Sequence, residues 1–370
     1  MKARRAEAVA AYAFLTPFLA LLAVFFVYAA GRAAYLSFTD YDLFSWPPNF
    51  VGFGNYSDLL QDTVFLTALR NTVLFSLVVT ATQTAGALVM ASVLNSKIRG
   101  ISFFRASYYI PAIASSVVIT LIFMWLFQRR GTVNFILGQV AAHLPHILLL
   151  VVLAALLQGA QVAWERARGL PAGWFDPALL VVSLLMALAG TVLADFLGLI
   201  RAAAAANVDI SWFQTSRAVP DGFPFWLQAP LPLVTIMMMN VFTTIPTFML
   251  MYLAALQDVP RSQYEAASLD GANPFQQLRW ITVPAVQPVT FLVVTLSLIG
   301  TLKVFDQVAI LGDAAPFRSR VTLAYYVYDR MFPGGQAPEV GFAAASAMFL
   351  ALLTLLVVLL QRRFLRAEGA

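Results

Sequence analysis

Apolar residues in this chain come in long runs separated by short polar stretches, and eight runs reach the length of a bilayer crossing. They fall at roughly 12–30, 70–94, 106–128, 144–163, 177–199, 230–254, 285–307 and 341–361. About twenty apolar residues cover the hydrocarbon core as a helix. A lone strand in lipid would leave its backbone groups unpaired, so each run is predicted as an α-helix. The fold class is therefore all-α, a polytopic membrane helical bundle. Pro111 and Pro246 lie inside runs. Helices buried among other helices tolerate such prolines, and transporters often use the breaks they cause. The first run follows Lys2, Arg4 and Arg5, as a signal peptide would. However, Gly31-Arg32 leads into the bulky Tyr35-Leu36-Ser37-Phe38 with no small-residue cleavage site, so the run reads as a retained span.

Composition agrees with this pattern and removes several alternatives. The chain is 61% hydrophobic and 11% charged, whereas soluble domains are about a quarter charged. There is no cysteine, hence no disulfide framework, thiolate metal site or cysteine nucleophile. The net charge of +5 does not form a nucleic-acid face, because the basic residues sit in small groups at the ends of apolar runs. That placement is how lysine and arginine set topology. With the N-terminus inside, the inner loops hold Lys2, Arg4, Arg5, Lys97, Arg99, Arg105, Arg166, Arg168, Arg261, Arg279, Arg362, Arg363 and Arg366, thirteen in all. The longer outer loops hold the nine at Arg32, Arg70, Arg129, Arg130, Arg201, Arg217, Arg318, Arg320 and Arg330. The bias places both termini in the cytoplasm.

One inner loop carries more than topology. Between the sixth and seventh runs lies Arg261-Ser262-Gln263-Tyr264-Glu265-Ala266-Ala267-Ser268-Leu269-Asp270-Gly271-Ala272-Asn273-Pro274. Ser262 with Glu265 three residues later is a capping-box pattern, so a helix is predicted to begin at Ser262. Gly271 is placed to end it, and Pro274 prevents simple continuation. About two turns of helix are marginal alone and need something to pack against.

The string Glu265-Ala266-Ala267, Gly271, Ile281 and Val283-Pro284 resembles the EAA loop of binding-protein-dependent ABC importer permeases, with Val283 where that family has leucine. Further likeness to the carbohydrate (MalF-like) branch lies in Arg70-Asn71-Thr72, Leu94-Asn95-Ser96-Lys97, Phe103-Phe104-Arg105, Tyr109-Ile110-Pro111, Trp125-Leu126-Phe127, Lys303-Val304-Phe305-Asp306 and Gly341–Ala347. The resemblance implies six core transmembrane helices, with the runs at 144–163 and 177–199 as two extra helices between core spans three and four. It divides the chain into N-terminal core spans at 1–138, an inserted segment at 139–229, and C-terminal core spans at 230–370 with an ATPase-docking loop at 257–284. In the family this loop is the coupling helix, which assigns docking to Ser262, Glu265, Ala266, Ala267, Gly271 and Pro284. The implied partners are an ATPase subunit dimer, which would bind ATP and Mg, a second homologous permease and an extracytoplasmic sugar-binding protein. The implied location is the prokaryotic inner membrane. Two departures stand out. Gly312-Asp313-Ala314-Ala315-Pro316 replaces the branch's Thr-Gly-Gly-Pro segment, and residues 139–229, with Trp212, Phe213 and Trp226 in their outer stretch, have no counterpart in compact members.

Ionisable groups in a bilayer are costly and mark pathways by default. Lys303 and Asp306, three apart on a continuous helix, would pair, either as a packing salt bridge or as a pore-side pair. Hydroxyls and amides recur at helical spacing in two spans, Ser76, Thr80, Gln83 and Thr84 in the second and Asn240, Thr243, Thr244 and Thr247 in the sixth. Such stripes usually join helices. A sugar path also needs neutral donors and acceptors beside aromatic rings, for which the candidates are Asn240, Thr244, Tyr252, Lys303, Phe305 and Asp306. Asp195 in the inserted segment reads as an interfacial or helix-contact residue.

No G-x-x-x-x-G-K-[ST] loop is present, and none of Lys2, Lys97 and Lys303 follows glycine. The chain is thus expected to bind no cofactor and to be a non-catalytic transport subunit. His143 and His146 lack thiol or carboxylate companions in sequence, and no nucleophile–base–acid set is visible. An ion-driven secondary transporter would show paired broken helices in internal repeats, which the sequence does not display. Within the ABC reading the cargo is a sugar or a non-sugar solute such as glycerol phosphate.

Overall fold

The structure, a computed structural model, describes residues 2–95, 100–170, 173–201, 208–220, 222, 224 and 227–366. Ser96, Lys97, Arg99 and Trp226 lie outside the described residues. The first span, α1, runs Ala11–Leu36 with a π-helical turn at Ala23–Tyr28. It is followed by α2 (Gly54–Gln61) and α3 (Thr63–Leu94), then α4 (Ile101–Ile113) and α5 (Ser116–Leu126). Next come α6 (Thr132–Ala142), α7 (Leu144–Ala167) and α8 (Pro177–Phe196). A two-residue antiparallel pair, β1 (Ala218–Val219) and β2 (Ala229–Pro230), leads into α9 (Leu231–Gln257). The C-terminal part holds α10 (Arg261–Leu269), α11 (Pro274–Gln277), α12 (Gln287–Leu302), α13 (Asp306–Leu311), α14 (Phe317–Arg320), α15 (Leu323–Met331) and α16 (Val340–Arg366).

Among the described residues seven helices are long and apolar enough to cross a membrane, and a bent pair makes an eighth. The bent pair corrects the continuous span expected over 106–128. Pro111 removes one backbone donor from the last turn of α4. The chain then leaves the helix at Ala114 (ψ 147°), and the two limbs meet at 98°. The runs expected at 144–163 and 177–199 are both long helices, with α7 at 24 residues and α8 at 20.

The helices form two compact units, residues 1–122 with 213–370, and residues 123–212. In the first, α3 is the central post. Gly86 lets it approach α9 so closely that a Cβ there would lie 2.7 Å from Ile245 Cδ1. Small residues at such crossings are how membrane helices gain dispersion contacts without a hydrophobic drive. Ala87 and Ala91 continue this contact toward Phe248, Met249, Tyr252 and Leu256, with Val286 and Val293 closing the cluster.

On another edge α3 meets α12 through side-chain hydrogen bonds. Ser76 Oγ lies 2.9 Å from Thr301 Oγ1, Ser297 Oγ lies 2.8 Å from Thr80 Oγ1, and Gln83 Nε2 donates to Ser297 Oγ. The stripe on the second span is helix-joining. At the end of the bundle that holds the start of α3, Asn71 donates to the Val321 carbonyl (3.0 Å), and Leu323 N–H donates to Thr72 Oγ1 (2.8 Å). These bonds fix the entry to α15. Gly341 serves a close approach of its own, since a Cβ there would fall 1.9 Å from the Thr39 carbonyl oxygen. Its N–H donates to the Tyr41 carbonyl at 2.9 Å.

The second unit is built around the antiparallel pair α7–α8. Ser183 Oγ donates to Gln158 Oε1 (2.6 Å), Gly190 lies against Leu153, and His146 Nε2 meets Asp195 Oδ1 at 2.9 Å. Beside them buried Asn134 donates to the carbonyls of Arg129 and Ile210 and accepts from Trp212 Nε1 at 2.8 Å. Arg129 and Asp209 form an exposed ion pair.

Candidate functional site

Two regions of the first unit hold most of the residues singled out in the sequence. The loop after α9 forms the short helix α10, and none of its residues is buried. It starts one residue earlier than expected, at Arg261, with Pro260 as N-cap and no side-chain cap. The capping box expected at Ser262 and Glu265 is therefore not formed. Pro260 already has the extended ψ (129°) an N-cap needs, so Ser262 is carried into the first turn. The capping box that does form joins Asn273 and Gln276 at the start of α11.

The end of α10 follows the expectation. Gly271 adopts φ +80°, its N–H bonds the Ser268 carbonyl, and Ala272 N–H bonds the Ala267 carbonyl. That pair of bonds is the Schellman arrangement, which favours glycine at the left-handed position. Gln277 Nε2 donates to Ser268 Oγ (2.9 Å), and the Tyr264 hydroxyl lies 3.0 Å from Thr282 Oγ1. The loop is thus a folded unit held from its own far side.

Its free face carries exposed Glu265 and Ala266, with Ala267 half-buried and Pro284 exposed further on. Three large apolar side chains not singled out in the sequence are also bare, Leu269 at 89% exposure, Phe275 at 73% and Trp280 at 71%. Apolar side chains this exposed, together on a polar loop, mark an interaction surface. The available signal was three single large apolar residues at polar-loop positions.

The second region is a cavity of about 340 Å³ where the bend between α4 and α5 faces α9 and α13. Pro111, Ala112, Ala114 and Ser116 line one side, and Asn240, Thr243, Thr244, Thr247, Asp306 and Gln307 the other. Asn240 Nδ2 reaches Gln307 Oε1 at 3.5 Å. The structure therefore brings Asn240, Thr244 and Asp306 to one wall.

The expected Lys303–Asp306 pair does not exist among the described ion pairs. The helix ends at Leu302, Lys303 and Phe305 take non-helical angles, and α13 starts afresh at Asp306. Both charged side chains are exposed. Phe305 sits outside the cavity lining, with its ring 5.2 Å from that of Tyr328 and 6.1 Å from that of Tyr325. Tyr252 is fully buried in the α3–α9 core, and its hydroxyl donates to Thr290 Oγ1 at 3.1 Å. It does not line this cavity.

Comparison with known proteins places these features in a family. Residues 83–367 match the family described as binding-protein-dependent transport system inner membrane component. The chain is 27% identical to the lactose transport system permease protein LacF of Rhizobium radiobacter, over 94% of this chain and 91% of that one. It is 25% identical to the sn-glycerol-3-phosphate transport system permease protein UgpA of Yersinia pestis, over 96% and 94%. Among solved structures, a bacterial ABC transporter involved in the import of the acidic polysaccharide alginate superposes with a TM-score of 0.64 at 18% identity, covering 98% of this chain and 96% of that one. The same kind of transporter bound to a periplasmic protein carrying an alginate pentasaccharide gives 0.62.

Proposed function

The chain belongs to the family of binding-protein-dependent transport system inner membrane components, the multi-pass permeases of ABC importers, and we propose that it forms half of the path for a sugar delivered by an extracytoplasmic binding protein. The observation that carries the reading is α10. This two-turn helix is finished by a Schellman cap and fixed from behind by Tyr264 and Gln277, yet it offers Glu265, Ala266 and Leu269 to no partner within the described chain. A helix so short draws its stability from what it packs on. In the assembled importer that surface belongs to an ATPase dimer, which binds ATP and Mg.

Closure of the ATPase pair on ATP moves α10. Because α10 follows α9 directly, the movement reaches the wall of the cavity bearing Asn240 and Thr244. Those neutral groups, with Gln307 and Ser116, suit the hydroxyls of a sugar, and a second homologous permease completes the path. LacF is named for lactose and the alginate importer for a polysaccharide, which supports a sugar. UgpA keeps glycerol phosphate as the alternative cargo. The basic bias of the inner loops supports cytoplasmic termini in an inner membrane.

Coupling is tested at the cap. In Gly271→Trp a side chain must adopt φ +80°, and in Glu265→Lys the exposed charge is reversed. Both variants are expected to insert in the membrane normally, yet to lose co-purification with the ATPase or cargo-stimulated ATP hydrolysis by tenfold or more, about 1.4 kcal/mol of docking energy. Wild-type coupling in both would overturn the assignment of α10.

A further inference from the structure

A row of aromatic side chains on α15 begins at the edge of the cavity that α9 and α13 share with the α4–α5 bend. Tyr325 and Tyr328 lie three residues apart and Phe332 follows four later, so the three share one side of the helix. Their rings form a connected series, with centroids 6.0 Å apart from Tyr325 to Tyr328 and 5.2 Å apart from Tyr328 to Phe332. Phe305 joins the series 5.2 Å from Tyr328, and it directly precedes Asp306 and Gln307 of the cavity wall. The buried Arg320 guanidinium lies 4.6 Å from the Tyr325 ring and donates to the carbonyls of Val308 and Ala315. That ring therefore has a fixed backing.

The chemistry beside the rings decides what they face. Tyr328 is 44% exposed and Phe332 61%. Asp329, four residues after Tyr325 and three before Phe332, shares their side of the helix. Its half-buried carboxylate accepts no hydrogen bond among the described residues, and neither the Tyr325 nor the Tyr328 hydroxyl makes one. Burial pushes the Asp329 pKa up, opposed only by the charges of Arg330 and Arg320. Hydrocarbon would leave that carboxylate without a donor, which is costly, and α15, at nine residues, is too short to span a bilayer. Apolar rings beside open polar groups suit a ligand with an apolar face and a hydroxyl rim, and a pyranose has both.

We propose that Phe305, Tyr325, Tyr328 and Phe332 form a stacking track for a linear, neutral oligosaccharide, with Asp329 accepting from its hydroxyls. Successive sugar units rest on the rings while the leading unit enters the cavity. This rests on the sugar reading above and adds that the cargo is several units long. A single sugar or glycerol phosphate would leave most of the track bare, and a phosphate would meet the carboxylates of Asp306 and Asp329.

The test titrates the full chain in nanodiscs by saturation-transfer NMR with linear tetrasaccharides of glucose, mannose and xylose, and with the three monosaccharides. At least one tetrasaccharide should bind about tenfold more tightly than its monosaccharide. Tyr328→Ala combined with Phe332→Ala should abolish that advantage with thermal unfolding unchanged, since both rings are exposed. Tyr328→Cys should react with a membrane-impermeant maleimide and be protected by the same tetrasaccharide; the chain has no cysteine of its own to confuse that result. A tetrasaccharide that binds no more tightly than its monosaccharide, or as tightly to the double variant, overturns the track and leaves the sugar reading standing. An unlabelled Tyr328→Cys also overturns the track, because lipid or a second subunit would then cover the face. Absence of binding by every saccharide overturns it too, and the sugar reading falls with it only if the assembled importer takes none of them up.

Discussion

The polar stripe on α3 and the one on α9 look alike in sequence, yet the fold uses them in opposite ways. Ser76, Thr80 and Gln83 are buried and hydrogen-bonded to Ser297 and Thr301 of α12. Thr243, Thr244 and Thr247 instead line an open cavity with Asn240. The difference lies in what each faces. The α3 stripe meets a helix with hydroxyls at matching heights, whereas the α9 stripe meets the bend at Ala114–Ser115, where no continuous helix can cover it. A polar stripe in a membrane helix thus joins helices when its neighbour is straight and stays available to cargo when its neighbour is broken.

The largest expected effect tests the scaffold behind both stripes. Gly86 sits where α3 and α9 cross, and Gly86→Leu must displace Ile245 from 2.7 Å. Overpacking of this kind costs about 1–3 kcal/mol, and α9 cannot move without disturbing the cavity wall. Thermal unfolding in detergent should fall by several degrees and transport should be lost with it. A variant that unfolds like wild type would mean that the crossing is loose, and that α9 is not held by α3.

A smaller pair of effects separates the stripes themselves. Thr244→Leu should reduce transport about tenfold, as 1.4 kcal/mol of lost interaction would, with unfolding unchanged. Ser297→Ala removes one member of the buried ladder. Its cost should be near the roughly 0.6 kcal/mol average for hydrogen bonds between membrane helices, with transport kept. Exchanged phenotypes, stability lost at Thr244 and transport lost at Ser297, would invert the comparison.

Much of this is legible in the amino-acid sequence. Hydropathy located the spans and a glycine ten residues after Arg261 marked the end of α10, because left-handed backbone and long apolar runs each leave a local signature. What escaped were features set by direction rather than composition. Summed hydropathy over 106–128 does not register a 98° turn at Ala114. The three-residue spacing of Lys303 and Asp306 implies contact only on an unbroken helix, and Phe305 at φ −136° breaks it. Ser262 resembled a cap because serine so often is one, but Pro260 took that place through backbone geometry alone. The site was therefore legible as a list of residues more than as an arrangement, and Tyr252 shows the cost, a plausible sugar-stacking ring that lies in the core.

The last predicted effect, which depends on pH, contrasts a carboxylate engaged on several sides with one left open. Asp62, at the N-cap of α3, accepts from the N–H groups of Val64 and Phe65, from the Tyr326 hydroxyl at 2.6 Å and from Arg330 at 2.5 Å. Burial pushes its pKa up, but the Tyr326 and backbone hydrogen bonds and the Arg330 charge outweigh burial and hold it below the usual carboxylate range. A folded-state pKa below the unfolded value of about 3.9 adds stability that is present above that pH and is lost as pH falls through the depressed value. Asp62→Asn should therefore lower the unfolding temperature at pH 7 by a few degrees and converge on wild type only as pH falls below that depressed value, where both lack the charge. Asp306 makes no ion pair among the described residues and faces the cavity, so Asp306→Asn should leave unfolding unchanged across that pH range and alter only transport. Equal loss of stability from both substitutions at pH 7 would show that Asp306 is a structural charge, and the cavity wall would lose its one ionised contact for cargo.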